Sequence, residues 1–162
     1  MSMLLLIRHG ENDYIKTGKM AGRLSGVHLN ERGREQAQAL ANALAEVPIK
    51  AIYSSPLERA VETAEPIARV RKLEVRVEAG LLESDVGKWQ ERPWKSLQRM
   101  NAWKIVQQAP SRFRFPEGES FREMQTRVVT ALEKIVSRYK PKDVIACVFH
   151  ADPIKLAVAH YI

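Results

Sequence analysis

Residues 3–7 are five apolar positions in a row, and Arg8 and His9 follow at once. The run is too short for a core helix and does not alternate, which predicts a strand buried on both faces. Its end is the anomaly, because leaving a guanidinium and an imidazole buried without partners costs on the order of several kcal/mol. A polar, glycine-bearing loop is expected over 10–29. Asn30 then caps a helix to about residue 45, with Ala37, Leu40, Ala41 and Leu44 on one face. After Pro48 comes a strand at 50–53. Ser55, Pro56 and Glu58 stand at the cap, first and third positions of a helix that reaches about residue 70. Alternation over 74–77 predicts a third strand.

Residues 80–91 show no period, and a helix is expected from about 93 to 107. Ser120 and Glu123 form a second capping box, opening a helix to about 138 whose apolar face is Val128, Ala131, Leu132 and Ile135. The run 143–149 reads as a buried strand, and Asp152 and Pro153 start a last helix. Strands alternating with helices imply an α/β fold, a three-layer α/β/α sandwich with a mostly parallel central sheet. The chain is expected to be one domain over 1–162, without repeats or linkers.

In such folds ligands bind beyond the carboxyl ends of the strands. Arg8 and His9 follow the first strand, Ser54, Ser55 and Arg59 the second, Glu83 the third, and His150 the last. Four segments thus send two Arg, two His and a Glu to one rim. Together with the helix N-terminus at Pro56 they make an anion cradle suited to phosphate. A neutral imidazole can attack phosphorus to give a phosphohistidine, and the leaving alkoxide then needs a proton, for which Glu83 is the candidate.

Composition narrows the setting. The chain has 162 residues, 45% hydrophobic and 28% charged, an ordinary balance for a globular protein. No stretch approaches a membrane span, and the single cysteine, Cys147, fits a reducing compartment, so a cytoplasmic protein is expected. Cys147 lies in an apolar strand without the phosphate loop of a cysteine phosphatase, and reads as core. The net charge of +7 fits nucleic acid, acidic lipid or a small anion alike. It concentrates over 92–116, where Arg92, Lys95, Arg99, Lys104, Arg112 and Arg114 occur without an acid, interleaved with Trp94, Trp103, Phe113 and Phe115. Two expectations arise: a basic cap-like insertion at about 84–115 whose Arg112 and Arg114 draw in substrate, or a nucleic-acid surface with stacking aromatics. The convergent site residues favour the first, with a small phosphate ester as partner rather than nucleic acid or membrane. Asn12 and His28 are further substrate-binding candidates, and Trp89 is expected to anchor the Glu83 loop. His9, Glu11, Asp13, His28, His150 and Asp152 include metal-ligand types, but neighbouring Arg residues oppose a cation, so neither metal nor cofactor is expected.

Six blocks in order carry a resemblance. They are LIRHGE at 6–11, LNERGREQA at 29–37, SSPLERAVETA at 54–64, LLESDVGKW at 81–89, PEGES at 116–120 and VFHAD at 148–152. The chain resembles the histidine phosphatase, or phosphoglycerate mutase-like, superfamily over nearly its whole length. The resemblance implies that His9 is the phosphorylated nucleophile, that Arg8, Arg59 and a cationic His150 hold the phosphoryl oxygens, and that Glu83 is first acid, then base. It implies metal-free chemistry. Asn12 stands where Thr or Ser is usual, Ile15 where Asn often lines the pocket, and Phe149 where Ser is commoner, which leaves substrate preference open. The short segment between the Glu83 block and the PEGES block favours hydrolysis over the phosphomutase alternative. Family members usually continue past the last helix, so a truncated end is a further expectation.

Overall fold

The computed structural model describes residues 2–162. Strands β1 (Met3–Arg8), β2 (Ile49–Ser54), β3 (Val75–Val77) and β4 (Val144–Phe149) form one parallel sheet in the order β1-β4-β2-β3. The helices are α1 (Asp13–Thr17), α2 (Glu31–Ala43), α3 (Glu58–Arg71), α4 (Trp94–Leu97), α5 (Asn101–Gln108), α6 (Phe121–Val136) and α7 (Ala151–Tyr161). The chain steps outward from β1 to β3 through α2 and α3, then returns through α6 to place β4 between β1 and β2. Right-handed crossovers put helices of the outward and return paths on opposite faces. Accordingly Ala41, Ala60, Ala64 and Ile67 pack with Ile52, Ala146 and Val148 on one side. Val128, Leu132, Ile135 and Ala157 pack with Tyr53, Cys147 and Phe149 on the other. The expected three layers are present.

Register places the site. Arg8 pairs with Phe149 at the carboxyl ends of β1 and β4. His9 N then donates to Phe149 O at 3.0 Å, and Ser55 N to Val148 O at 2.9 Å. Residues 9, 55 and 150 therefore leave the sheet side by side. Behind His9, a Cβ on Gly10 would lie 2.6 Å from Gly33 O, and one on Gly33 would lie 2.0 Å from Glu11 O. Both positions are glycine because the start of α2 presses backbone to backbone on the loop that carries His9.

Four expectations change. The loop over 10–29 contains α1, which Asn12 Oδ1 caps by accepting from Ile15 N at 2.9 Å and Gly18 ends at φ 67°. α3 begins at Glu58 with Leu57 as an N-cap that offers no side-chain bond. Ser55 Oγ lies 2.8 Å from His150 Nε2 and is left 3.4 Å from Leu57 N, so its capping role yields to a tertiary contact. The helix expected at 93–107 is broken into α4 and α5 by extended backbone at Met100. α7 starts at Ala151 with His150 as N-cap, and Asp152 lies inside its first turn.

Residues 84–115 fold around a third cluster of Met20, Val86, Trp89, Leu97, Phe113, Phe115 and Met124. The Trp89 ring lies 6.1 Å from Trp103, 5.2 Å from Phe113 and 5.5 Å from Phe115. Trp89 thus anchors its segment, as expected. Phe113 and Phe115 are buried rather than presented for base stacking. No helix among the described residues is long and apolar enough to cross a membrane.

Candidate active site

Beyond the carboxyl ends of the strands lies a cavity of about 310 Å³, lined among others by Arg8, His9, Asn12, Arg59, Glu83 and Asp152. His9 is 8% exposed, Arg59 1% and His150 0%. The His9 and His150 rings stand edge to face, 5.2 Å between centroids. Four segments far apart in sequence thus meet at one spot, as their positions at strand ends require.

His9 Nδ1 lies 2.7 Å from Gly10 O, so Nδ1 carries the proton it donates there and Nε2 keeps a lone pair. Burial, then the charges of Arg59 and Arg8, push the imidazole pKa down to about 4. At neutral pH this is an uncharged, oriented nucleophile.

Arg59 Nη2 donates to Gly22 O at 2.7 Å. Its Nε and Nη1, and His150 Nδ1, are buried with no hydrogen-bond partner. Such groups cost on the order of 1–3 kcal/mol each when unsatisfied, more when charged. Three unpaired polar atoms beside a nucleophile mark the place of an anion with several acceptor oxygens. Burial and the charge of Arg59 hold the His150 pKa well below the ordinary histidine value. The bare environment therefore favours the neutral ring, in contrast to the cation that the resemblance implied. A dianion at the same spot would favour its protonation.

Glu83 Oε2 lies 3.7 Å from His150 Nδ1, while Glu83 Oε1 accepts from Ser84 N at 2.8 Å. Burial raises its pKa to about 7, with the nearby Asp152 charge adding to the shift. Its loop is clamped from behind. Arg23 Nε donates to Glu83 O at 2.9 Å, and Arg127 Nη1 donates to Gly80 O at 2.8 Å and Leu82 O at 3.0 Å. Glu119 bridges the two arginines, 2.8 Å from Arg127 Nη2 and 3.2 Å from Arg23 Nη2, and also accepts from Asp85 N at 3.0 Å. Arg23 lies about a hundred residues before the other two, and only Glu119 stands inside a motif block.

The remaining candidates separate. Asn12 is buried and lines the cavity, its oxygen engaged in capping α1. His28 is exposed, pairs with Glu62 and does not line the cavity. Arg112 is exposed and Arg114 is held by Glu123 at 2.5 Å, and neither lines the cavity. The expectation that His28, Arg112 and Arg114 contact substrate finds no support in this geometry: Phe113 and Phe115 are buried, and the arginines between and beside them are left on the surface of the segment. Lys19, Tyr14 and Lys155, which motif reading did not single out, also line the cavity, together with Trp94. Cys147 is buried and its thiol is pushed up to about 12, consistent with a core role.

His9, Glu83 and His150 bring one ligand atom each within 4.8 Å of one another, a donor set that taken alone would suit a metal ion. Arg59 and Arg8 act on both histidines with positive charge, and that field favours an anion instead.

Known proteins are similar to this chain in sequence and in fold. The chain is 34% identical over 160 residues to phosphoserine phosphatase 1 of Hydrogenobacter thermophilus, covering 96% of this chain and 74% of that protein. It is 32% identical over 162 residues to a 2,3-bisphosphoglycerate-dependent phosphoglycerate mutase of Thermoplasma acidophilum, covering 100% of this chain and 77% of that one. Bacillus stearothermophilus YhfR shares its structure with a TM-score of 0.91 at 30% identity, over 99% of this chain and 80% of that chain. The model of the histidine phosphatase superfamily (branch 1) matches residues 4–162, and the chain belongs to that family.

Proposed function

We propose that the protein is a metal-independent phosphomonoester hydrolase that works through a phosphohistidine on His9. The observation that carries this reading is the set of buried, unpartnered donors on Arg59 and His150 beside an uncharged imidazole. In the first step the His9 Nε2 lone pair attacks phosphorus and the P–O ester bond breaks. The departing oxygen takes its electron pair and receives the Glu83 proton. Arg8, Arg59 and His150 hold the phosphoryl oxygens, and Nδ1–H stays bonded to Gly10 O. In the second step Glu83, now a carboxylate, removes a proton from water as it attacks phosphorus; the P–N bond breaks and neutral His9 returns. A carboxyl poised near pH 7 suits both halves.

Residues 84–115 act in this account as a cap that closes one side of the cavity through Ser84, Val86 and Trp94. A phosphomutase would use the same intermediate and return the phosphoryl group to a second hydroxyl; the mutase relative keeps that reading in play. Phosphate release from p-nitrophenyl phosphate in EDTA, with His9→Ala beside wild type, tests the proposal. Activity that survives EDTA and disappears in the variant supports it. Activity that requires a metal, or that persists in the variant, contradicts it.

A further inference from the structure

Ser55 opens a capping motif without using it. Its Oγ lies 3.4 Å from Leu57 N but 2.8 Å from His150 Nε2. Ser55 and His150 are both 0% exposed, so this contact is made away from solvent.

The contact decides which nitrogen of His150 carries the proton. Leu57 N donates to Ser55 Oγ, and His150 Nε2 is the one acceptor within reach of the Ser55 hydroxyl proton among the described residues. A proton on Nε2, donated to Oγ, would leave the Ser55 O–H buried with nothing to accept it. With Ser55 donating, Nε2 is bare and the neutral ring has its proton on Nδ1. Nδ1 is the buried atom left without a partner, 3.7 Å from Glu83 Oε2. The other titratable or charged groups that face the ring are Arg59 from α3, His9 and Arg8 from the end of β1, and Arg127 from α6. Burial and the three guanidinium groups keep the ring uncharged.

The two tautomers have opposite consequences for the acid. A bare Nδ1 would accept the Glu83 proton and hold it away from a leaving oxygen. An Nδ1–H accepts nothing; it leaves the Glu83 proton free and offers a donor to a phosphoryl oxygen. We propose that Ser55 is a positioning residue that holds His150 in the Nδ1–H tautomer, making the neutral ring a phosphoryl donor and keeping Glu83 armed as general acid. Its effect on turnover rests on the phosphatase reading above, whereas the tautomer does not. Where a bound dianion brings His150 a further proton, Nε2 takes it and the Nδ1–H is unchanged.

Nitrogen-15 NMR of histidine-labelled protein without ligand, at neutral pH, reads the tautomer, and His150→Asn identifies the signals of this ring. Wild type is expected to show a pyrrole-type Nδ1 and a pyridine-type Nε2 for His150. In Ser55→Ala either tautomer leaves Nε2 without a partner, so the preference disappears and the Nε2 signal moves toward its protonated position. Turnover is compared on glycerol 3-phosphate, whose leaving oxygen needs a proton, and p-nitrophenyl phosphate, whose leaving group does not. General acid catalysis supplies about 100-fold or more, and the mixed tautomers of Ser55→Ala forfeit part of it, so kcat for glycerol 3-phosphate should fall at least about threefold further than kcat for p-nitrophenyl phosphate. A wild-type ring protonated on Nε2 alone, or on both nitrogens, overturns the proposal, and that result needs no variant to fold. Unchanged His150 signals in Ser55→Ala, or equal losses on the two esters, overturn it as well. The phosphatase reading is decided separately, by whether p-nitrophenyl phosphate hydrolysis is lost in His9→Ala.

Discussion

Glu119 never touches the cavity, yet the geometry makes it a positioning residue for Glu83. Its carboxylate accepts from Arg127 Nη2 at 2.8 Å, Arg23 Nη2 at 3.2 Å and Asp85 N at 3.0 Å. The Glu119 side chain is 13% exposed, against 23% for Arg127 and 30% for Arg23. Removing one partner of a buried ion pair costs about 3–5 kcal/mol. Water reaches both arginines in part, so Glu119→Ala should cost about 2–3 kcal/mol. With a urea m-value of about 2 kcal/mol/M for a domain of this size, the midpoint falls by about 1–1.5 M. Arg23 and Arg127, released from Glu119, also lose their hold on the backbone of residues 80–83 and bring free positive charge toward the Glu83 carboxyl. That lowers its pKa, so the alkaline limb of kcat/KM moves to lower pH and kcat drops by about ten- to a hundredfold. Glu119→Gln keeps acceptor and shape and should recover part of both losses. Equilibrium urea unfolding and a pH–rate profile provide the readouts. A midpoint within about 0.3 M of wild type and an unmoved alkaline limb would refute the clamp.

Two further outcomes follow from the site and its support. Glu83 binds its proton more tightly folded, at about pH 7 against 4.5, so its contribution to stability is complete below pH 4.5 and is lost as pH rises through 7. Glu83→Gln stays neutral; it should equal wild type near pH 4.5, become more stable by at most about 3 kcal/mol above pH 7, and lose turnover of alkyl phosphates. A stability difference independent of pH would contradict the buried-acid assignment. Gly33→Ala puts a methyl 2.0 Å from Glu11 O, and should cost about 1–3 kcal/mol and displace the loop carrying His9. Thermal unfolding and kcat should fall together, and a variant as stable as wild type would show that the loop yields freely.

Much of this architecture is written in local pattern, and the exceptions have causes that local pattern lacks. The apolar runs of β1 and β4 are legible because strands buried on both faces need no alternation. Ser120 and Ser55 begin nearly the same capping motif. Ser120 completes it, accepting from Glu123 N at 3.2 Å while Ser120 N donates to Glu123 Oε2 at 2.8 Å. Ser55 turns instead to His150, which no reading of residues 54–58 contains. The gathering of Arg8, His9, Arg59, Glu83 and His150 is legible because each follows a strand of one parallel sheet. The direction of Arg112 and Arg114 is not legible, for the opposite reason: charge gives a residue's affinity for anions but not where it points, and Glu123 holds Arg114 on the outside. Lys19 reaches the cavity because Gly18 ends α1 and accepts from Trp94 N at 2.9 Å, a long-range contact that the local pattern over 10–29 does not contain. The Glu119 clamp joins residues 23, 119 and 127, a spacing without any periodic signal.

The central claim is that phosphate passes through His9. The most direct test is rapid quench of the enzyme with phosphorus-labelled substrate into alkali, followed by peptide mapping. With p-nitrophenyl phosphate, whose leaving group departs without a proton, the account predicts an acid-labile, alkali-stable phosphoryl group on His9 that accumulates in Glu83→Gln, where the base of the second step is missing, and is absent in His9→Ala. Turnover without label on the protein, or label on another residue, would contradict it.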